Sequence, residues 1–302
     1  MTTKSGYIGI LGKPNVGKST LLNQLLGTKI SITSKKAQTT RQRILGIKTD
    51  NEIQAIYVDT PGIHSNYQKA LNRFMVKTAI QSLSFVDIVI FVIDVRNFTE
   101  EDQHVLNHVK KLDLPMIIAL NKIDKIDDKS ALLPTIEYFQ SIFQPHFSNI
   151  DFVPLSAKTG KNIESLEKLI QKFLPEGPHL FDSDQLTDKN SKFIFAEIIR
   201  EKLLRLVGAE VPHEVAIEIE TFKQQDQKHF DEIGAIIWVS RKGQKKIIIG
   251  KEGQILKQVG ILARHDIEKF LGKQVMLRLW IKIRKNWSDD ERALKSLGFY
   301  DE

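Results

Sequence analysis

Short apolar runs alternate with amphipathic stretches along the first 174 residues, and this alternation restricts the fold more than any other feature of the chain. Residues 7–11, 53–58, 87–93, 116–120 and 152–155 read as buried strands, and residues 18–26, 67–83, 101–112, 130–143 and 163–173 as helices between them. Such an order buries its apolar surface when the strands lie side by side and the helices cover them. It therefore predicts an α/β domain with a mostly parallel sheet and helices on both faces. Residues 44–48 precede the strand at 53–58 across the turn-forming pair Asp50-Asn51, which predicts a hairpin and one antiparallel strand at the sheet edge.

Four loops carry chemistry, each at the C-terminal end of a predicted strand, where open α/β sheets bind their ligands. Gly12-Lys13-Pro14-Asn15-Val16-Gly17-Lys18-Ser19 fits G-x-x-x-x-G-K-[ST] between a strand and a helix, with Thr20 following. Glycines let such a loop close around phosphates, so that backbone N–H groups and a helix N-terminus point inward. Lys18 would then reach the β- and γ-phosphates, and the Ser19 hydroxyl would bind Mg²⁺. Asp59-Thr60-Pro61-Gly62 ends the strand at 53–58. There Asp59 can hold Mg²⁺ through water, and the Gly62 N–H can sense a γ-phosphate. Asn121-Lys122-Ile123-Asp124 and Ser156-Ala157-Lys158 follow the next strands. A carboxylate at Asp124 accepts from guanine N1–H and N2–H₂ together, donors that adenine lacks. The Lys122 stem can lie along the ring, Asn121 can tie this loop to the phosphate loop, and the Ala157 N–H can meet guanine O6. Each loop alone is what any polar loop after a strand looks like; all four in order are not.

These motifs, in this order, resemble the translation-factor-related class of P-loop GTPases. The resemblance implies GTP and GDP as ligands, Mg²⁺ as cofactor, slow hydrolysis of GTP, and a switch threonine that binds Mg²⁺ and γ-phosphate. Gln38-Thr39-Thr40-Arg41 lies in the right interval. Thr40 is the residue expected in that role, with Thr39 the neighbour it could be confused with. Ile63 stands directly after Gly62, where many GTPases have the glutamine that orients the attacking water, so another group must do that work. Asn15 resembles the asparagine of potassium-activated GTPases, which implies K⁺ as a second cation.

Residues 175–190 are rich in Pro, Gly and Asp and read as a linker from the domain at 1–174 to a second one at 191–286, followed by a tail at 287–302. The second segment reads helix 193–207, strands 211–221 and 230–241, helices 245–249 and 254–271, and strand 274–284. Ile247-Ile248-Ile249-Gly250-Lys251-Glu252-Gly253-Gln254-Ile255 places a G-x-x-G turn between its last two helices. Such a turn lets a bare backbone approach about four nucleotides of single-stranded RNA, which is how KH domains work. The order is similar to the α+β KH domain with its extra helix and strand on the N-terminal side (type II). Lys245, Lys246 and Lys251 would meet phosphates, with Ile249, Gly250, Glu252 and Gly253 shaping the turn. Trp238 and Trp280 alternate with apolar residues and are expected in the core rather than as stacking platforms. In the tail, Ser288 and Glu291 have the spacing of a capping box.

Charge supports a polyanionic partner. The net charge of +7 is uneven: residues 240–285 hold 13 Lys and Arg against three acids, a net +10, while residues 210–232 carry a net −5. Cysteine is absent, which excludes disulfides and thiolate metal sites. Residues 1–5 contain no apolar signal core and no apolar run approaches a membrane span, so a soluble protein is expected, with surface attachment to a membrane left open; a cytoplasmic location and a monomer are also expected. A GTPase domain joined to a KH domain resembles a bacterial family of ribosome-assembly GTPases. That resemblance extends through Phe195–Lys202 and through the tail from Asn286 to Leu294. It implies binding to the 3′ end of small-subunit ribosomal RNA, action on the small ribosomal subunit, and contact with the inner face of the cell membrane. Two rival readings are an RNA-modifying enzyme, for which no second catalytic constellation is present, and a membrane-associated signalling GTPase whose basic block binds anionic lipid.

Overall fold

The computed structural model describes residues 2–33, 39–62, 69–110, 112, 114–127, 130, 132–146, 149–207, 214–224 and 230–299. The chain divides into two compact units. In the first, six strands, β1 (Lys4–Leu11), β2 (Ile44–Asp50), β3 (Ile53–Asp59), β4 (Ile88–Asp94), β5 (Met116–Asn121) and β6 (Ile150–Pro154), form one sheet in the order β2-β3-β1-β4-β5-β6. All neighbours run parallel except β2, which pairs antiparallel with β3 at the edge, as the hairpin predicts. Strand β4 is buried from end to end, the continuous apolar run that a sheet covered on both faces demands. Helices α1 (Lys18–Leu26), α2 (Ala70–Ser82) from Phe74 onward, α3 (Glu100–Val109), α4 (Leu132–Phe143) and α5 (Ile163–Phe173) supply the cover. Helix α3 begins at Thr99, where the Asp102 carboxylate accepts from the Thr99 N–H at 2.9 Å.

The Pro/Gly-rich stretch expected as a linker is held against this unit. Gln54, wholly buried, accepts from the N–H groups of Leu180 and Phe181 and donates to the Phe181 carbonyl. Pro175 accepts from Ser5, and Leu186 from Ile47.

The second unit contains α6 (Ser191–Leu206), β7 (Val215–Lys223), β8 (Phe230–Val239), α7 (Lys242–Ile249), α8 (Gln254–Leu271), β9 (Gln274–Ile283) and α9 (Glu291–Ser296). Its three strands lie in the order β7-β8-β9, with β7 and β8 antiparallel and β8 and β9 parallel. Helices α6 and α8 cover one face. Phe195, Ile199 and Leu203 of α6 and Val259, Ala263 and Ile267 of α8 pack on Val215, Ala235, Ile237 and Val239. The opposite face stays open. On β9, Val275, Leu277, Leu279 and Ile281 join the core, while Met276 and Trp280 are exposed. Trp280 is therefore not a core residue: its period-two register turns it to the uncovered side. Trp238 is half-buried and donates its indole N–H to Glu218 at 2.6 Å. The tail helix is capped by Asp290, which accepts from the Arg292 N–H, and not by Ser288, which lies in the preceding 3₁₀ turn.

Two stretches that precede α6 in sequence also belong to this unit, Ile32–Lys36 and Tyr67–Arg73. The Thr33 N–H donates to Glu201 at 3.0 Å, and the fully buried Glu201 also pairs with Lys202 and Arg205. Lys69 pairs with Glu214, which accepts from Gln244; Gln244 in turn accepts from the Ser240 and Arg241 N–H groups and so caps α7. Burial pushes the Glu214 carboxyl up, but the hydrogen bonds from Lys69 and Gln244 outweigh it and hold the pKa below the usual range.

Candidate functional site

The phosphate loop is built by positions that only glycine tolerates. Gly12 and Gly17 sit at φ 146° and 110°. A Cβ on Gly12 would meet the Val92 carbonyl at 2.5 Å, and one on Gly17 would meet the Asn121 amide nitrogen at 2.4 Å. Asn15 takes a left-handed φ of 65°. Pro14 packs on Gly62, whose Cβ would lie 3.0 Å from it. Val16 points into the core. Helix α1 starts at Lys18 with no side-chain cap, leaving its first turn to an anion. Lys18 is buried and folds back so that its ammonium donates to the carbonyls of Gly12 and Lys13, both at 2.9 Å. Burial draws its pKa down to about 8, against the raising influence of Asp59 and Asp102. The Lys13 side chain turns away, onto Asp102 at 2.6 Å and Thr99 at 2.8 Å, so only its backbone faces the loop interior. Thr20 is half-buried beside Ser19.

The residues expected around Mg²⁺ converge. The Ser19 and Thr40 hydroxyls are 2.9 Å apart, and Ser19 donates to Asp59 Oδ2 at 2.8 Å. Asp59 is fully buried, and its Oδ1 has no hydrogen-bond partner. Burial raises its pKa, opposed by Lys18 and by hydrogen bonds from Ser19, Ser31 and Thr40. Two hydroxyls and an orphaned carboxylate oxygen are the hard oxygen set a Mg²⁺–phosphate site uses, so the donors fit that ion. Thr40 is buried at this cluster, and Thr39 is half-buried beside it. Thr60 donates to the Ile10 carbonyl at 3.4 Å, and Pro61 and Gly62 are buried next to it. Ile63 lies outside the described residues.

The base-reading loops are joined to the phosphate loop through one side chain. Asn121 donates to the Val16 carbonyl at 2.7 Å and accepts from the Ala157 N–H at 2.9 Å and the Lys122 N–H at 2.7 Å. Lys122 donates to the Asn15 carbonyl at 2.8 Å and pairs with Asp94 at 3.0 Å. Ser156 donates to Asp124 at 2.7 Å and so orients it, while Lys158 is exposed at the rim. The sequence reading missed Asp94 and Arg96. Burial disfavours the Asp94 charge, but the Arg96 guanidinium grips the carboxylate through two nitrogens and holds its pKa far below the usual range.

In the second unit, α7 ends at Gly250, with φ 73° and ψ −178°, and α8 starts after Gly253 at φ 76°. Between them Glu252 is left-handed, at φ 53°, and Lys251 is exposed. A Cβ on Gly250 would meet Ile255 at 2.6 Å, whereas one on Gly253 would meet nothing within 4 Å. Ile249 is half-buried and Lys246 exposed. Lys245 is bent back, donating to the Ile281 carbonyl at 3.2 Å. Beside the turn runs a groove of about 460 Å³, lined among others by Leu256, Lys257, Gly260, Arg264 and Leu279. These were not singled out in the sequence, though Gly253, Leu256, Lys257, Gly260 and Arg264 share one helical face and a mid-helix glycine signals close approach.

Comparisons with known proteins follow the same division. A family model described as 50S ribosome-binding GTPase matches residues 7–122, and one described as KH domain matches residues 210–288. The curated GTPase Era of Pseudomonas savastanoi pv. phaseolicola is 53% identical over 299 residues, covering 99% of this chain and 98% of its own length. The GTPase Era of Pseudomonas aeruginosa is 50% identical, covering 99% and 96%. A crystal structure of Era in complex with MgGDPNP and nucleotides 1506–1542 of 16S ribosomal RNA matches with a TM-score of 0.94 at 43% identity, covering 99% of this chain and 100% of that one. A point variant of Aquifex aeolicus Era bound to GDP·AlF₄⁻ matches equally, with a TM-score of 0.94 at 42% identity and the same coverage.

Proposed function

We propose a function on the premise that this chain belongs to the Era family of GTPases, with which it shares 53% identity across 99% of its length. It is a GTPase, converting GTP to GDP and phosphate. Its KH domain binds single-stranded RNA of the kind found at the 3′ end of small-subunit ribosomal RNA, and the nucleotide state controls that binding during small-subunit assembly in the cytoplasm. The observation that carries the nucleotide part is the Asn121 amide, which bonds Val16 and Ala157 and so makes the phosphate-binding and guanine-binding loops one frame.

In this reading Lys18 gives up its two carbonyl partners for the β- and γ-phosphates, whose charge restores the pKa that burial has lowered. Asp124, held by Ser156, accepts from the guanine edge and excludes adenine. Ser19 and Thr40 turn their hydroxyl oxygens to Mg²⁺, and Asp59 holds it through water. When bound, Mg²⁺ neutralises charge developing between the phosphates during transfer. Asn15 is the residue we assign to a K⁺ beside the phosphates, by its resemblance to potassium-activated GTPases; equal turnover in K⁺ and Na⁺ buffers would remove that assignment.

Two stretches support a coupling of nucleotide to RNA. Thr33 precedes the loop of Thr40, and Lys69 follows Gly62, yet they belong with the second unit and bond Glu201 and Glu214 there. An order change in either switch loop therefore pulls on residues held in the KH unit, and the coupling is reciprocal. Crosslinking and sequencing of bound RNA, with GDP and with a non-hydrolysable GTP analogue, tests the reading. Reads concentrated at the 3′ end of small-subunit ribosomal RNA in the GTP-like state are expected; reads scattered over many RNAs would refute the target.

A further inference from the structure

We infer that Ser31 is a positioning residue for the Mg²⁺-binding aspartate. This rests on the nucleotide-site reading above and adds a residue to it. Asp59 Oδ2 receives two hydroxyls, Ser19 at 2.8 Å and Ser31 at 2.9 Å, while Oδ1 has no partner. Ser19 takes its own place at Mg²⁺, and Thr40 stands in a loop whose order depends on the γ-phosphate. Ser31 does neither. It is fully buried, and Asn23 clamps its backbone on both sides, donating to the Ser31 carbonyl at 2.7 Å and accepting from the Ser31 N–H at 3.0 Å and the Ile30 N–H at 3.1 Å. Asn23 and Ser19 stand one turn apart on α1, so they share a face of that helix. Helix α1 thus grips the carboxylate twice, once with its own hydroxyl and once with a hydroxyl it holds in place.

The chemical consequence is directional. Two donors on Oδ2 stop the carboxylate from turning about its Cβ–Cγ bond and leave Oδ1 as the acceptor for a metal-bound water. With Ser31 gone, only Ser19 and Thr40 hold the carboxylate, and both also serve the ion. A hydrogen bond from a neutral donor to a buried carboxylate is among the stronger ones, and its loss corresponds to roughly a tenfold effect or more.

The test measures release of fluorescent GDP from the full-length protein as Mg²⁺ is titrated, for wild type, Ser31→Ala, Ser31→Cys and Ser31→Thr. Ser31→Cys keeps the shape and loses the strong donor; Ser31→Thr keeps the hydroxyl. Expected are unchanged GDP affinity in EDTA for all four proteins, a Mg²⁺ midpoint about tenfold higher for the Ala and Cys variants, and recovery of the midpoint in Thr. An unchanged midpoint in both Ala and Cys would overturn the assignment. So would a loss of GDP affinity of equal size with and without Mg²⁺, which marks a merely structural serine. Failure of the wild type itself to bind GDP would instead defeat the nucleotide-site reading.

Discussion

The two glycine turns to which we assign phosphate contacts are built to opposite specifications. At Gly12–Ser19 the glycines are closely packed and the lysine is fixed: the Val92 carbonyl presses on Gly12, Asn121 on Gly17, and Lys18 is held by two carbonyls. At Gly250–Gly253 only the first glycine is crowded, by Ile255; the second has open space, and the charged side chains of Lys251 and Glu252 stand in solvent. The contrast follows from the ligands. A phosphoryl transfer needs fixed donors and excluded water, since positioning is nearly all the protein supplies. A polymer backbone needs only an approachable surface and positive charge, and pays for neither with buried groups.

The largest effect should come from the wired site. Lys18→Ala removes the buried ammonium assigned to the phosphates and should weaken GTP binding by about 10²–10³-fold, the scale of losing one partner from a buried, hydrogen-bonded charge pair. Titration calorimetry with GTP reads this directly; a loss under tenfold would mean that the loop amides alone hold the phosphates. Asp124→Ala comes next. It should leave ATP affinity as it is and cut GTP preference by roughly 10²-fold, because a site made for hydrogen bonding penalises their absence strongly. Competition of ATP against fluorescent GDP measures it. If selectivity survives, the Ala157 N–H discriminates the base instead.

The wired site was also the more legible in sequence, and for the same reason. Its loops need particular atoms at particular spacings, so Lys18, Ser19, Asp59, Asn121 and Asp124 announce themselves. Ser31 does not. Between Ile30 and Ile32 it reads as one more position in an apolar run, and nothing local tells that Asn23 will turn its hydroxyl inward. Asp94 and Arg96 are hidden likewise, because their pairing serves Lys122 from another strand. The stretch after α5 reads as a loose connection by composition, yet buried Gln54 fastens it, a partner more than 120 residues away. Trp280 fails differently. Its alternation was visible, but which face of β9 the helices cover is decided by α6 and α8.

The open turn predicts smaller effects that should leave GTP binding untouched. Gly253→Asp has room for its side chain, but it must hold a non-glycine residue at φ 76° and adds an anion where phosphates approach. Roughly tenfold weaker RNA binding at physiological salt is expected by gel shift. Intact affinity would take the G-x-x-G turn out of the interface.

The smallest effect separates lysines that the sequence treats alike. Lys251 projects from the turn into solvent, whereas Lys245 is already engaged with the Ile281 carbonyl of β9. A lysine that neutralises one phosphate releases about 0.7 of a counterion from a single strand, so it contributes that much to the slope of log affinity against log salt. Lys251→Ala should lower the slope by about 0.7 and weaken binding uniformly across RNA sequences. Lys245→Ala should leave the slope unchanged and instead loosen the packing of α7 on β9. Fluorescence anisotropy across a salt series, with one RNA and both variants, measures the two slopes. Equal changes would mean that Lys245 leaves its carbonyl when RNA arrives, and that the second turn, like the first, exchanges internal partners for phosphate.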